Sequence, residues 1–399
     1  MLRVSSLVAV SVVAACSAWG AAALVQSPPA PKLALALHFD TTVPGKPLAL
    51  TAAAGVEEAV ALDGIGLMAT AGRQRATPIA SLTKMMSALV VLRDHPLAPH
   101  ETGPEITITP ADVAVYREER RQGDSVVAVR GGEQLSELQA LEAALIPSGD
   151  NIVQLLALWD AGSIPAFTAR MNALARSLGL RNTHYAGPSG VDPATVSTAT
   201  DQLRAAEAAM RNPVFAKIVA MPQVVLPVAG IQYNVDSDLG TDGIDGIKTG
   251  WIPQGGASFI FSAVDNLAGR RVSLLGDVIG EQGASPLPTA LLVAREIVRA
   301  SERTLRVFRV GAGSTVATLS APYARNVRVV SASSLAFVAW SGARVRVKLN
   351  ELDRLPSGLR AGTPVGRLTV ELGAIRAATG VRAASRLAAP SFGWRLEHP

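Results

Sequence analysis

The sequence holds a single cysteine, Cys16, so no disulfide can form within the chain and no thiolate cluster can hold a metal. The five histidines, at 38, 95, 100, 184 and 398, lack the paired spacing that a zinc site needs. No G-x-S-x-G run marks a nucleophile elbow. Aromatic residues make up 4% of the chain against 49% hydrophobic residues in all, so its cores must be built mainly from Ala, Val and Leu. Lysine is rare as well: only positions 32, 46, 84, 217, 248 and 348 carry it, among 37 cations. Glycine and proline, at 35 and 25 residues, are near ordinary usage and exclude collagen-like and low-complexity chains.

Charge is missing altogether from Val4 to Pro31, directly after Arg3. A positive start followed by an apolar run reads as an export leader. Three fates are open to it: cleavage near Ala21-Ala22-Ala23, retention of Val4 to Val25 as a bilayer anchor, or lipidation of Cys16 in Val13-Ala14-Ala15-Cys16. The expected organisation is a signal peptide or anchor over 1–31, a proline-bearing linker over 32–55, a body over 56–303 and a β-rich basic domain over 304–399. At 399 residues the chain is long enough for such a division.

Within the body, Asp63-Gly64 between two apolar runs predicts a hairpin. Leu82, Met85, Met86, Leu89 and Val90 follow the i, i+3, i+4, i+7 rhythm of a helix over Ser81 to Arg93. The same rhythm predicts helices over 135–146, 152–159, 166–178 and 200–210. Strand patterns return at 223–228, 244–248, 258–264 and 271–276, before a helix over 286–301. One sheet made from both ends of the body, with helices inserted between, is the implied architecture. Short Val-rich strands, among them 327–330, 343–349 and 364–372, then predict a small all-β domain.

Three short elements carry candidate chemistry. Ser81 and Lys84 stand one helical turn apart on one face, so the amine can reach the hydroxyl; the plainer reading is a capping Ser beside a solvated Lys. Ser148-Gly149-Asp150 lies in a tight helix-to-helix link, where Ser148 or Asp150 would also serve as an N-cap. Lys248-Thr249-Gly250 lies on a strand, where an edge lysine next to a turn glycine would suffice. Their conjunction says more than any one of them. Two of six lysines fall in these elements of an arginine-rich chain, and only an ammonium, not a guanidinium, can give up its proton and act as a base.

These elements, within Pro78 to Lys84, Leu145 to Asn151, Gly179 to His184 and Asp245 to Gly250, resemble the serine D-alanyl-D-alanine carboxypeptidases, the low-molecular-mass penicillin-binding proteins. The likeness runs from about Gly55 to Ser301. It implies an α/β body of the penicillin-binding protein and serine β-lactamase type: a mainly antiparallel sheet flanked by helices, with a helical subdomain. The C-terminal all-β domain resembles that of some members only weakly. Two departures stand out. The family usually has Ser-Gly-Asn where this chain has Ser148-Gly149-Asp150 followed by Asn151, leaving open which of the last two faces the site. The substrate-binding arginine of some members has no match in Asp277 to Leu287.

By this resemblance Ser81 is the nucleophile, Lys84 its base and Ser148 the proton donor to the leaving group, while Lys248 and Thr249 bind the substrate carboxylate. Gly250 lets substrate lie against its strand, and the backbone N–H groups of Ser81 and Trp251 form the oxyanion site. The substrate would be a peptidoglycan stem peptide, with β-lactam antibiotics as covalent inhibitors and no cofactor or metal. No Glu lies between Glu142 and Glu207, so the deacylating base of class A β-lactamases is missing. A D,D-endopeptidase, or a non-catalytic wall-binding protein, would use the same residues. Lys248 follows Ile247 on a strand, which sets phosphate-loop chemistry aside, and no nucleic-acid partner is expected. Residues 301–399 hold 15 Arg/Lys against 5 Asp/Glu; this imbalance predicts an anionic membrane or wall-polymer surface as partner of the C-terminal domain, outside the cytoplasm.

Overall fold

A computed structural model describes residues 27–35, 41–352 and 355–398. The leader, with Arg3 and Cys16, lies outside the described residues except for its last few. The chain divides into two compact units, one over Gly45–Leu305 and one that joins 306–399 to residues up to Pro44.

The first unit is built on a five-stranded antiparallel sheet in the order Ile244–Ile252, Gly256–Leu267, Arg270–Glu281, Glu57–Leu62, Gly66–Ala71. Gly256–Leu267 is buried on both faces along most of its length, which explains its unbroken run Ala257 to Val264 of small and apolar residues. Adjacent strand residues point to opposite faces, and Glu57 and Glu58 mark the two. Glu57 accepts a bond from the N–H of Ala199, at the start of helix Ala199–Met210, while Glu58 lies beside Glu296 of helix Pro286–Thr304. The sheet is thus covered by a helix on each face. The inserted helices Thr83–Asp94, Glu137–Leu145, Asp150–Ala161 and Ile164–Ser177 share one core, with Leu141, Leu156, Phe167 and Met171 fully or almost fully buried.

Helix Pro110–Gln122 has no counterpart in the periodicity, because six of its residues are charged and almost none is buried. Its ends are nonetheless written locally: Thr109 and Asp112 form a capping box, and Gly123 closes the helix in a left-handed conformation. Helix Pro213–Val219 is likewise additional to those expected.

The second unit is a seven-stranded sheet in the order Lys32–Leu35, Thr315–Ala321, Ala324–Ser331, Ile375–Ala383, Pro364–Leu372, Arg344–Glu351, Thr41–Thr42. This corrects the linker expected over 32–55. Lys32–Leu35 pairs with Ala317–Ser320, and Thr41–Thr42 with Val345 and Arg344, so the N-terminal segment supplies both outer strands of the C-terminal sheet. The physical reason is alternation: Leu33 and Leu35 pack against its core, while Lys32 and Ala34 are exposed. Prolines on either side of these strands masked that short pattern.

Candidate active site

Ser81 sits in a tight turn, Ala80–Leu82, that runs directly into helix Thr83–Asp94. Ala80 has φ +48, a strained value for a residue with a Cβ. The Thr83 hydroxyl donates to the Ala80 carbonyl at 2.7 Å and pins the turn. Gly190 lies against it so closely that a Cβ there would fall 1.9 Å from the Ala80 oxygen. Ser81 is therefore presented by a rigid backbone.

Lys84 is 0% exposed. Its Nζ donates to Ser81 Oγ at 2.7 Å, to Asp150 Oδ1 at 2.6 Å and to the Ser189 carbonyl at 3.2 Å. Three partners thus surround the nitrogen, so the amine is aimed as well as buried. The capping Ser with a solvated Lys does not describe this pair.

The link at Ser148 resolves the Asp150/Asn151 ambiguity. Asp150 faces Lys84, and its Oδ2 accepts the Ser125 N–H at 3.1 Å. Asn151 turns away and bonds the backbone N–H and C=O of Val127, each at 2.9 Å. Neither Ser148 nor Asp150 caps helix Asp150–Ala161, whose N-cap is Gly149 without a side-chain bond. Ser148 is itself buried and left-handed, at φ +66. Such a conformation persists only where the surroundings impose it. Here the N–H of Gly149 is held by the Ala143 carbonyl and that of Asp150 by the Ser125 carbonyl.

Lys248, Thr249, Gly250 and Trp251 lie on Ile244–Ile252, the edge strand of the sheet, paired on one side with Ile260, Phe259, Ser258 and Ala257. The Ser81 turn lies beside Gly250: a Cβ on that residue would stand 2.9 Å from the Ser81 nitrogen. Glycine keeps this backbone approach open. Lys248 and Thr249 are buried, whereas Trp251 is 55% exposed. The Lys248 Nζ donates to the Thr249 carbonyl at 3.0 Å. Burial, reinforced by the charge of Lys84, pushes the Lys248 amine down to about 7, against the opposing pull of Asp150 and Asp236.

Further polar groups near the site carried no motif. Glu119, on helix Pro110–Gln122, is pushed up to about 7 by burial and by the charges of Asp150 and Asp124. Burial raises Asp236 to about 6, with Lys248 nearby pulling the other way. The Ser189 carbonyl belongs to Gly187-Pro188-Ser189-Gly190, whose turn composition was the only available signal. The arrangement can perform acyl transfer: a hydroxyl in contact with a buried amine, a second amine brought to about 7, and an edge strand beside that hydroxyl's turn.

Comparison with known proteins agrees with this chemistry. The peptidase S11 family, D-alanyl-D-alanine carboxypeptidase, matches residues 62–279. The D-alanyl-D-alanine carboxypeptidase DacB2 of Mycobacterium tuberculosis is 32% identical over 231 residues, covering 56% of this chain and 74% of that protein. A D-alanyl-D-alanine endopeptidase of Pseudomonas aeruginosa is 33% identical over 158 residues, 40% of this chain and about half, 48%, of that relative. Among solved structures, penicillin binding protein 5 from Haemophilus influenzae superposes with a TM-score of 0.59 at 19% identity, over 87% of this chain and 100% of that one. DacD from Francisella tularensis gives 0.59 at 20% identity, over 88% and 97%. At such identities these two structures speak to the fold.

Proposed function

Since this chain belongs to the D-alanyl-D-alanine carboxypeptidase family, we propose that Ser81 attacks the carbonyl carbon between the two terminal D-alanines of a peptidoglycan stem peptide. Lys84 takes the hydroxyl proton as the Oγ–C bond forms. The C–N bond then breaks, Ser148 passes a proton to the departing D-Ala amine, and water hydrolyses the Ser81 ester to a carboxylate. Lys248 and Thr249 hold the terminal carboxylate of the substrate by charge-assisted bonds. The N–H groups of Ser81 and Trp251 receive the oxyanion. β-Lactams acylate the same hydroxyl, and the protein works outside the cytoplasm, exported by the apolar run after Arg3.

The observation that carries this reading is the 2.7 Å contact between Lys84 Nζ and Ser81 Oγ inside the protein. Asp150 supports it by holding the amine from the other side. The test is release of D-Ala from a synthetic pentapeptide by the wild type and by Ser81→Ala. Release by the wild type alone is expected, and release by the variant would contradict the assignment. A second reading, cleavage of D-alanyl cross-links, rests on the endopeptidase relative. Faster cleavage of a cross-linked dimer than of the pentapeptide would favour it.

A further inference from the structure

Strand Glu57–Leu62 turns Glu58 toward helix Pro286–Thr304, on the face of the sheet opposite Glu57. Glu58 is 3% exposed, yet among the described residues neither a hydrogen bond nor an ion pair reaches its carboxylate. A buried acid left without a partner is costly, and such a group calls for an explanation. Burial raises its pKa, and the charges of Glu281 and Glu296 add to the rise; neither of these acids is paired with a described cation. Glu58 opens into a cleft of about 480 Å³. One wall is the helix, with Val293, Glu296, Ile297, Arg299, Ala300 and Arg303 along it. The other is the irregular segment Ala49, Leu50 and Thr51, whose backbone N–H and C=O groups have no partner among the described residues. All of these residues lie in the Gly45–Leu305 unit, and none belongs to the Ser81 site.

We infer that this cleft is a second, non-catalytic binding site for a short free peptide of about three residues, its ammonium held by Glu58 and Glu296 and its carboxylate directed toward Arg303. The charges along the helix select a zwitterion of that length. Arg303 follows Glu296 by seven residues, which is about 10 Å at roughly 1.5 Å per residue, and three extended residues span about the same distance. Arg299, steadied by Asp242 at 3.0 Å, stands between them on the same wall. Leu50, Val293 and Ile297 supply apolar surface for small side chains between the charged ends. The unpaired backbone of residues 49–51 offers the donors and acceptors that a peptide main chain takes and that a lone amine would leave unused. An arriving ammonium also brings the charge that the buried carboxylate lacks. The inference goes beyond the acyl-transfer reading and does not depend on it.

The test titrates tri-L-alanine into the full chain by calorimetry, before and after reaction with penicillin. One equivalent is expected to bind in both cases. Acetylating the peptide's amino end, or amidating its carboxyl end, should each weaken binding by about tenfold or more. Glu58→Gln should do the same, and because it removes an unpartnered charge it should melt no lower than the wild type. Glu296→Gln changes an exposed helix position that folding tolerates, and should weaken binding several-fold even where Glu58→Gln is poorly folded. Absence of binding to the wild type, equal binding of either blocked peptide, or undiminished binding in these variants would overturn the proposal. Loss of binding once penicillin has reacted would place the peptide at Ser81 and overturn it too. Penicillin uptake read on the same samples tests the catalytic assignment separately, so failure of one reading is seen apart from failure of the other.

Discussion

Lys84 and Asp150 form a buried ion pair, Nζ to Oδ1 at 2.6 Å, with side-chain exposures of 0% and 4%. The same nitrogen touches Ser81 Oγ, so a carboxylate stands directly behind the proposed base. The carboxylate therefore fixes where the amine stands relative to the hydroxyl. In Asp150→Asn the amine loses that charge and keeps a hydrogen-bond partner. Acylation by penicillin is expected to slow in this variant, and an unchanged rate would leave Asp150 with no part in holding the amine.

Lys84→Arg keeps the positive charge and removes the capacity to act as a base. Acylation by penicillin, followed by stopped-flow fluorescence, should slow by at least about 10²-fold. A near-normal rate would reduce Lys84 to an electrostatic role.

Lys248 is pushed down to about 7, and in its proposed role only the ammonium form attracts the substrate carboxylate. The charged fraction is largest below that value and is lost as the pH rises through it. KM for a peptide ending in D-Ala-D-Ala should therefore climb above about pH 7, approaching tenfold per unit well beyond it. Lys248→Arg, charged throughout, should flatten that climb, and a KM equally steep in the variant would remove Lys248 from carboxylate binding.

Three features of the site were legible in sequence because they are local. The i, i+3 spacing of Ser81 and Lys84 survives as a 2.7 Å contact, the helix rhythm after Ser81 matches Thr83–Asp94, and the Lys248 strand lies on the sheet. What depends on distant chain was not legible. Asp150 and Asn151 are told apart by Lys84 and Ser125, which hold the first, and Val127, which holds the second, from 24 to 66 residues away. Lys32–Leu35 pairs with a strand that comes almost 300 residues later, and no local pattern announces such a partner. Helix Pro110–Gln122 is written in its caps rather than in an apolar stripe, since it buries little.

Glu137, at the start of helix Glu137–Leu145, is 1% exposed, and burial pushes its carboxyl up to about 7. A raised carboxyl leaves stability intact below the unfolded value near 4.5 and removes it as the pH rises through about 7. The melting temperature of the wild type should fall between pH 5 and 8 by a few degrees more than that of Glu137→Gln. Parallel curves, read by circular dichroism, would show that this carboxyl is ionised in the fold across the range.

The central claim is that one hydroxyl, Ser81, is the acylated group. Peptide mass spectrometry of the protein after incubation with penicillin addresses it directly. The adduct is expected on the peptide that contains Ser81 and nowhere else, and it should be missing from Ser81→Ala. An adduct on another residue, or one retained in Ser81→Ala, would contradict the account.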